Sequence, residues 1–470
     1  MSWINILNSD RRKNGKSDQH PDELRTELER DYDRILFSTP VRRLADKTQV
    51  FPLDRNDSVR NRLTHSHEVS NLARSLGVII ATKHADNVIN GIRDIPAVLA
   101  AVGLVHDLGN PPFGHQGEAA IRKWFANREK IFLSEFDAKD KYLFDDFLKF
   151  DGNAQTLRLV TRLQMLNDNY GIDLTYATLA ALMKYTVGTD CIDKSVACKK
   201  KHGFFHSEAE IAKNIFNKVG LSIGTRHPLA YVMEACDDIA YATIDVEDCV
   251  KKGLASFNDV MGFMRNHYPH DSIIQEIVEK SSEKYNEYLK ADLSPHELND
   301  ISIQRFRVFV ISQFIKSVVK VISDKYDDLM SGSLNSSLIE ISDSADLREC
   351  LGKITKQYAF KNRSVLQLEL KGFNTITELM DIFWFAIKNA QVVQGGLDKS
   401  EHPYARYVYS RISENYRRVF ENPTEEDKKL PLEYRRCLLL TDMMSGMTDS
   451  YAMNILDELK QYKTHDLSLA

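Results

Sequence analysis

The chain has 470 residues, 43% of them hydrophobic and 27% charged, the composition of an ordinary soluble globular protein that can bury a core without covalent staples. Its 62 basic and 67 acidic residues give a formal net charge of -5, so composition carries no global argument for nucleic acid or an acidic membrane. The six cysteines form no CxxC pair, which argues against a zinc knuckle or redox dithiol and fits a cytoplasmic compartment, and no apolar run approaches the ~18 residues of a membrane span.

Helical spacing dominates the sequence. Apolar residues recur three and four apart in Val69, Leu72, Ala73, Leu76, in Ile95, Val98, Leu99, Val102, Val105, and in Val308, Ile311, Phe314, Ile315, Val318, Val319. Strand-like alternation is confined to the short run Val365–Leu370, so the expected fold class is all-α. Residues 1–30, polar over 8–27, are expected to form a mobile N-terminal segment. Residues 186–207, with Gly188, Gly203 and Lys199–Lys201, read as a loop. The Ser-rich stretch 329–346 reads as the join to a C-terminal helical region.

In chain order, the first chemistry lies at Asn61–Val69. A helix predicted over 65–83 puts His65 on the inward face with Val69, Leu72 and Leu76, while His67, two residues on, points elsewhere. Asp94-Ile95-Pro96 then signals a helix start, with Asp as cap and Pro in the first turn. The apolar run Ala97–Val105 is expected to be buried and to deliver His106-Asp107 at its end, with Gly109 as the stop. A buried aspartate needs a counter-charge. Taken alone, the pair reads more readily as a structural histidine beside an aspartate that caps the next turn.

A third helix is predicted to open at Pro228 and close near Gly253. It carries Asp237, Tyr241 and Asp245 at i, i+4 and i+8 on one face. Since Glu247 and Asp248 follow, a solvated acidic face is the plain alternative. Together, two imidazoles and two carboxylates suit a divalent ion such as Mn, Mg, Fe or Co, with positions left for water and substrate.

The order His65 … His106-Asp107 … Asp237 resembles the signature of the HD phosphohydrolase superfamily. The flanking text is more specific: Pro40–Leu53, Arg62-Leu-Thr-His65, His106–Glu118, His227–Tyr231, Glu234–Tyr241, and Ser445–Asp449 with Tyr451 resemble the bacterial deoxyguanosine triphosphate triphosphohydrolases from about residue 32 to 455. Asn110, at a position where animal relatives carry another histidine, points to the bacterial branch. The tripeptide Thr186-Val187-Gly188 departs from the family's usual text after Lys184-Tyr185.

The resemblance implies a multi-helix HD-domain fold with a helical C-terminal extension. Residues 31–330 would be the catalytic core, and 331–470 would complete the nucleotide pocket and make oligomer contacts. It implies release of intact triphosphate from a dNTP, dGTP preferred. Carried over residue by residue, one divalent ion per subunit (Mn2+ or Mg2+, with Co2+ or Fe2+ as alternatives) would be held by His65, His106, Asp107 and Asp237. His115 and Glu118 match the catalytic pair, and their spacing of three makes them neighbours if a helix begins near Gly114.

Arg62 and Lys184 match phosphate-contacting residues, Tyr241 would pack on the sugar, and Gln49 and Val50 would hold and wall it. Asp245 is expected to partner the sugar or Arg62. Glu369 and Arg406 are the candidates for the base. Relatives form ring-like homohexamers, and some respond to single-stranded DNA or nucleotide effectors. Two other functions stay open: a different HD hydrolase (a 5′-deoxynucleotidase or phosphodiesterase), told apart by its products, and a non-catalytic regulator using the basic pairs Arg42-Arg43 and Arg435-Arg436 and the run Lys199–Lys201.

Overall fold

The computed structural model describes residues 2–13, 24–51, 58–85, 90–164, 170–390, 392–393, 396–397 and 402–462. The architecture is all-α. Among the described residues the only ladder is the short antiparallel pair Val392–Val393 with Gly396–Leu397. Val365–Leu370, the best strand-like run, lies inside a helix that Asn362 caps by accepting from Ser364 N. Its alternation is outvoted by the longer 3.6-residue pattern through Ile387.

The helices that position the site are α1 (Glu27–Leu36), α2 (Arg62–His84), α3 (Gly91–Val105), α4 (Gly114–Asn127), α5 (Tyr176–Leu182), α6 (Pro228–Lys251), α7 (Pro295–Asp324), α8 (Ala345–Tyr358), α9 (Arg363–Asn389), α10 (Leu432–Gly446) and α11 (Asp449–Gln461). The most extensive helix pairing is α2 on α3, and α6 packs across both. Two glycines make the pairing close. A Cβ on Gly77 of α2 would lie 2.8 Å from Pro96 Cα of α3, and one on Gly103 of α3 would lie 2.7 Å from Ser70 Cα of α2. Each helix thus offers a bare backbone where the other approaches.

Two predicted boundaries shift. Helix α2 starts at Arg62, not His65, because Asn61 and Thr64 form a reciprocal capping box that sequence periodicity does not register. Helix α3 starts at Gly91, after Asn90 turns the chain in the left-handed region at φ 60°, so Pro96 sits inside the helix. Pro96 forgoes one bond to the carbonyl four residues back, in the place where α2 presents Gly77. Helix α6 opens at Pro228 as predicted, with His227 as its cap.

Within the expected mobile N-terminal segment, residues 14–23 lie outside the described residues. The described parts on either side are anchored. Trp3 and Ile6 are buried, and Arg11 is buried in ion pairs with Glu27 (2.8 Å) and Asp31 (2.8 Å). The backbone carbonyls of Asn8 and Asp10 accept from Ala177 and Tyr176 of α5. A polar segment can be buried when its charges are paired in this way. Residues 186–207 form the expected loop, with short 3-10 turns at Thr189–Cys191 and Ala197–Lys199. One contiguous apolar core runs from Trp3 to Leu459 and passes through the Ser-rich stretch at Leu338 and Ile339.

Candidate metal and catalytic site

Three helices bring their polar residues to one point. His65 lies in the first turn of α2, His106 follows the last turn of α3, and Asp237 projects from the middle of α6. One donor atom from each lies within 4.8 Å of the others. His65 Nε2 is 3.2 Å from Asp237 Oδ1, and His106 Nε2 is 3.5 Å from the same oxygen. The close α2–α3 packing makes this convergence possible, with the two imidazole centroids 5.6 Å apart. Asp107 stands at the edge of the trio, its Oδ1 3.5 Å from His106 Nε2. Its carboxylate also takes Asn110 Nδ2 at 2.6 Å and the Arg62 guanidinium.

The donor set fits a cation. His106 Nδ1 donates to Gly103 O at 2.8 Å, which in the neutral ring leaves Nε2 a lone-pair atom, buried and without a hydrogen-bond partner, facing two carboxylates. Lone pair against carboxylate is repulsive unless a positive charge lies between, and a divalent ion or a proton supplies it. The electrostatics agree. Burial alone would depress the His106 pKa, but Asp107 and Asp237 overcome it and raise the value to about 9. Burial opposes ionisation of Asp107, yet Arg62 and then His106 hold it down to about 2. Asp237 likewise sits well below the usual carboxylate range, where burial is overcome by His106 and His65.

Beyond the trio, the chain turns through His106–Phe113 into α4. Phe113 and Gly114 are both left-handed, at φ 61° and φ 54°. A Cβ on Gly114 would lie 2.8 Å from Arg62 Nη2, so this glycine lets the start of α4 approach Arg62. His115, 85% exposed, has its Nδ1 3.6 Å from Glu118 Oε2 one turn on. Glu118 is buried and fixed from behind, its Oε1 accepting from Gly152 N at 2.8 Å. A rigid carboxylate therefore stands against an imidazole that is open to solvent.

Lys184 follows α5 and pairs with Glu234 at 3.4 Å. Burial would lower its pKa, but Glu234 and then Asp237 raise it, so it stays a cation beside the trio. Tyr241 is half-buried one turn beyond Asp237. Asp245 is buried with Oδ2 unpartnered, and burial, with Asp248 and Asp237 adding, lifts its pKa well above the carboxylate range. The expected pairing of Asp245 with Arg62 is not formed: Arg62 is taken by Asp107, and the cation acting on Asp245 is Arg60. Gln49 keeps a buried, unpartnered Oε1. Val50 packs with Phe51, Cys249 and Val365.

Glu369, on α9, faces the Gln116 side chain next to His115; burial raises the Glu369 pKa, and Gln116 opposes that with a smaller pull downward. Arg406 lies exposed on the helix Pro403–Ser410, which packs against α9, and makes no ion pair with Glu369 among the described residues.

Sequence reading missed other residues. Arg348 of α8 reaches Asp238 at 3.5 Å and acts on Tyr241. Burial raises the Asp238 pKa to about 6. Arg60 binds Glu68, Glu247 and Asp248, tying the start of α2 to the end of α6. Lys47 and Asp449 brace the loop before α4. Lys47 and Asp449 lie within the family text Pro40–Leu53 and Ser445–Asp449, but that text does not show what they bind, because Asn110, Ser445, Thr48 and Phe113 are far away in sequence.

The model of the HD domain matches residues 62–152, Arg62 to Gly152. Over 98% of its length the chain is 35% identical to 99% of a deoxyguanosinetriphosphate triphosphohydrolase-like protein of Listeria monocytogenes. It is 31% identical to a like-named protein of Synechocystis sp., over 98% of the chain and 99% of that protein. It is 30% identical to a deoxyguanosinetriphosphate triphosphohydrolase of Klebsiella pneumoniae, over 90% of the chain and 92% of that protein.

Proposed function

The chain belongs to the deoxyguanosinetriphosphate triphosphohydrolase family, and on that premise we propose that it hydrolyses deoxynucleoside triphosphates, dGTP foremost, to the deoxynucleoside and inorganic triphosphate. The observation that carries the reading is the convergence of His65, His106 and Asp237 next to the exposed His115 and its buried partner Glu118. In this reading His65, His106, Asp237 and the adjacent Asp107 hold one divalent ion per subunit, Mn2+ or Mg2+. An ion held by these residues would supply the charge to polarise a phosphoryl oxygen and lower the pKa of a water.

The protein's own groups have separate tasks. Arg62, Lys184 and Arg348 offset the charge of the triphosphate. His115 gives a proton from Nε2 to the departing 5′ oxygen, and Glu118, 3.6 Å from Nδ1, orients the ring electrostatically. Tyr241 lies along the sugar, Gln49 and the buried acid Asp245 meet its 3′-hydroxyl, and Val50 walls it. Glu369 is assigned to the base. Residues 31–330 act as the catalytic core of a homohexamer, and 331–470 complete the pocket.

The regulator reading is weakened by where its basic residues go. Arg43 donates to Gly446 O and Tyr416 Oη, Lys201 pairs with Asp151, and Arg436 pairs with Glu433. Among the described residues no helix is long and apolar enough to cross a membrane.

The test is to incubate the protein with each dNTP and Mn2+ or Mg2+ and separate the products by anion exchange. Equal nucleoside and triphosphate, fastest from dGTP, is the expected result. Pyrophosphate or orthophosphate as the first product points to another HD hydrolase, and bound metal without turnover points to a regulator.

A further inference from the structure

No residue of the C-terminal stretch Ser445–Asp449 has been given a role so far, yet the stretch is laced to the site. Asp449, the first residue of α11, is 2% exposed. Its Oδ2 accepts from Thr48 N at 3.0 Å and from the Thr48 hydroxyl, and its Oδ1 accepts from Phe113 N at 2.9 Å. Lys47 runs parallel to it: one buried ammonium donates to Asn110 O at 2.6 Å and to Ser445 O at 2.7 Å. Ser450 and Gly446 add bonds to Asp46 and Arg43. Three segments far apart in sequence, 43–48, 110–113 and 445–450, thus form one knot, and every donor to Asp449 is satisfied by one buried carboxylate.

What the knot holds is a strained turn. Phe113 is a bulky residue in the left-handed region, a conformation that persists only when its surroundings impose it. Asp449 fixes its N–H, and its ring fills the space over Gly372 of α9, where a Cβ would lie 2.5 Å from Phe113 Cγ. This turn sets the direction in which α4 starts, and therefore where the exposed His115 stands. On its other oxygen, the same carboxylate fixes the backbone one residue before Gln49.

We infer that Asp449 is a positioning residue for hydrolysis: it holds the His115 turn and the Gln49 segment in one register, so that the general acid and the sugar contact are set together. This rests on the hydrolase reading above. Asp449 bonds Thr48 and Phe113 and none of the metal trio, so its removal acts on the chemical step and leaves metal binding in place. A displacement of about an ångström in a proton donor costs up to ~100-fold in rate.

The experiment uses Asp449→Asn, which keeps the shape but replaces one accepting oxygen by a donor, and Thr48→Val, which removes one of the three bonds. For both, kcat, KM, Mn2+ affinity, melting temperature and amide hydrogen exchange are measured against the natural chain. The expected result for Asp449→Asn is a kcat lowered at least tenfold. Mn2+ affinity stays within twofold, and the Thr48 and Phe113 amides lose protection together. Thr48→Val shows a smaller fall, about threefold, with the same exchange signature. If Asp449→Asn does not fold, Thr48→Val decides. Folded variants with kcat within twofold of the natural chain, kcat and Mn2+ affinity falling in parallel, or unchanged exchange at Phe113 would overturn the inference. Failure of the hydrolase reading is recognised separately: the natural chain then releases no triphosphate from any dNTP, while the exchange measurement still reports whether Asp449 ties the two segments.

Discussion

Binding a divalent ion to the trio should release a proton at neutral pH. Without metal, Asp107 and Asp237 hold the His106 pKa up to about 9 against the effect of burial, so the imidazole carries a charge at pH 7. A protonated imidazole cannot be a ligand, and Nδ1 is already committed to Gly103 O, so the proton to be lost is the one on Nε2. Two units separate pH 7 from that pKa, which leaves about one molecule in a hundred ready to bind. Apparent affinity should therefore tighten about tenfold from pH 7 to pH 8 and level off near pH 9. The two aspartates add nothing to this release, because their pKa values are already depressed.

The assay is calorimetric titration with Mn2+ at pH 7 in buffers of different ionisation enthalpy, which counts protons directly. Close to one proton per ion is expected. Release below about 0.2, together with an affinity that does not change between pH 7 and pH 8, would refute the reasoning. The metal-free fold gives a second check. A pKa raised on folding contributes stability that is fully present below the unfolded value of about 6.5 and is lost as pH climbs through about 9. The shift corresponds to at most about 3 kcal/mol. The metal-free protein should melt lower at pH 9 than at pH 7, and the metal-loaded protein should not share that trend.

Gly103→Ala puts a Cβ 2.7 Å from Ser70 Cα and must push α2 from α3. A loss of about 1–3 kcal/mol by thermal melting and weaker Mn2+ binding should appear together, since the same contact sets the His65–His106 spacing. Arg348→Ala removes a cation beside Asp238 and Tyr241 that is not at the reacting bond. The expected effect is a roughly tenfold rise in KM with kcat within about threefold in steady-state kinetics, the mark of a lost uniform binding contact.

The parts of the site legible in the sequence are those that a single helix encodes. His65 could be chosen over His67 because its face is fixed by Val69, Leu72 and Leu76, and the structure buries it at 1% exposure beside Asp237. Asp237 and Tyr241 follow from one helical register. Helix starts were less legible, because Asn61 acts through a reciprocal bond with Thr64 and Asn90 through a left-handed turn, and neither leaves a periodic trace. Arg348 and Asp449 were not legible as site residues at all: a salt bridge or a knot is a property of two segments, and Thr48 and Asp449 are 401 residues apart. Ser445–Asp449 stood out as text with no chemistry of its own, since it contains neither a metal-binding pair nor a nucleophile with its base. Its meaning lies in what it accepts bonds from. A motif that orders a distant turn must look inert when read alone, because its donors, two backbone N–H groups and the Thr48 hydroxyl, are ordinary groups whose sequence says nothing about the partner they need.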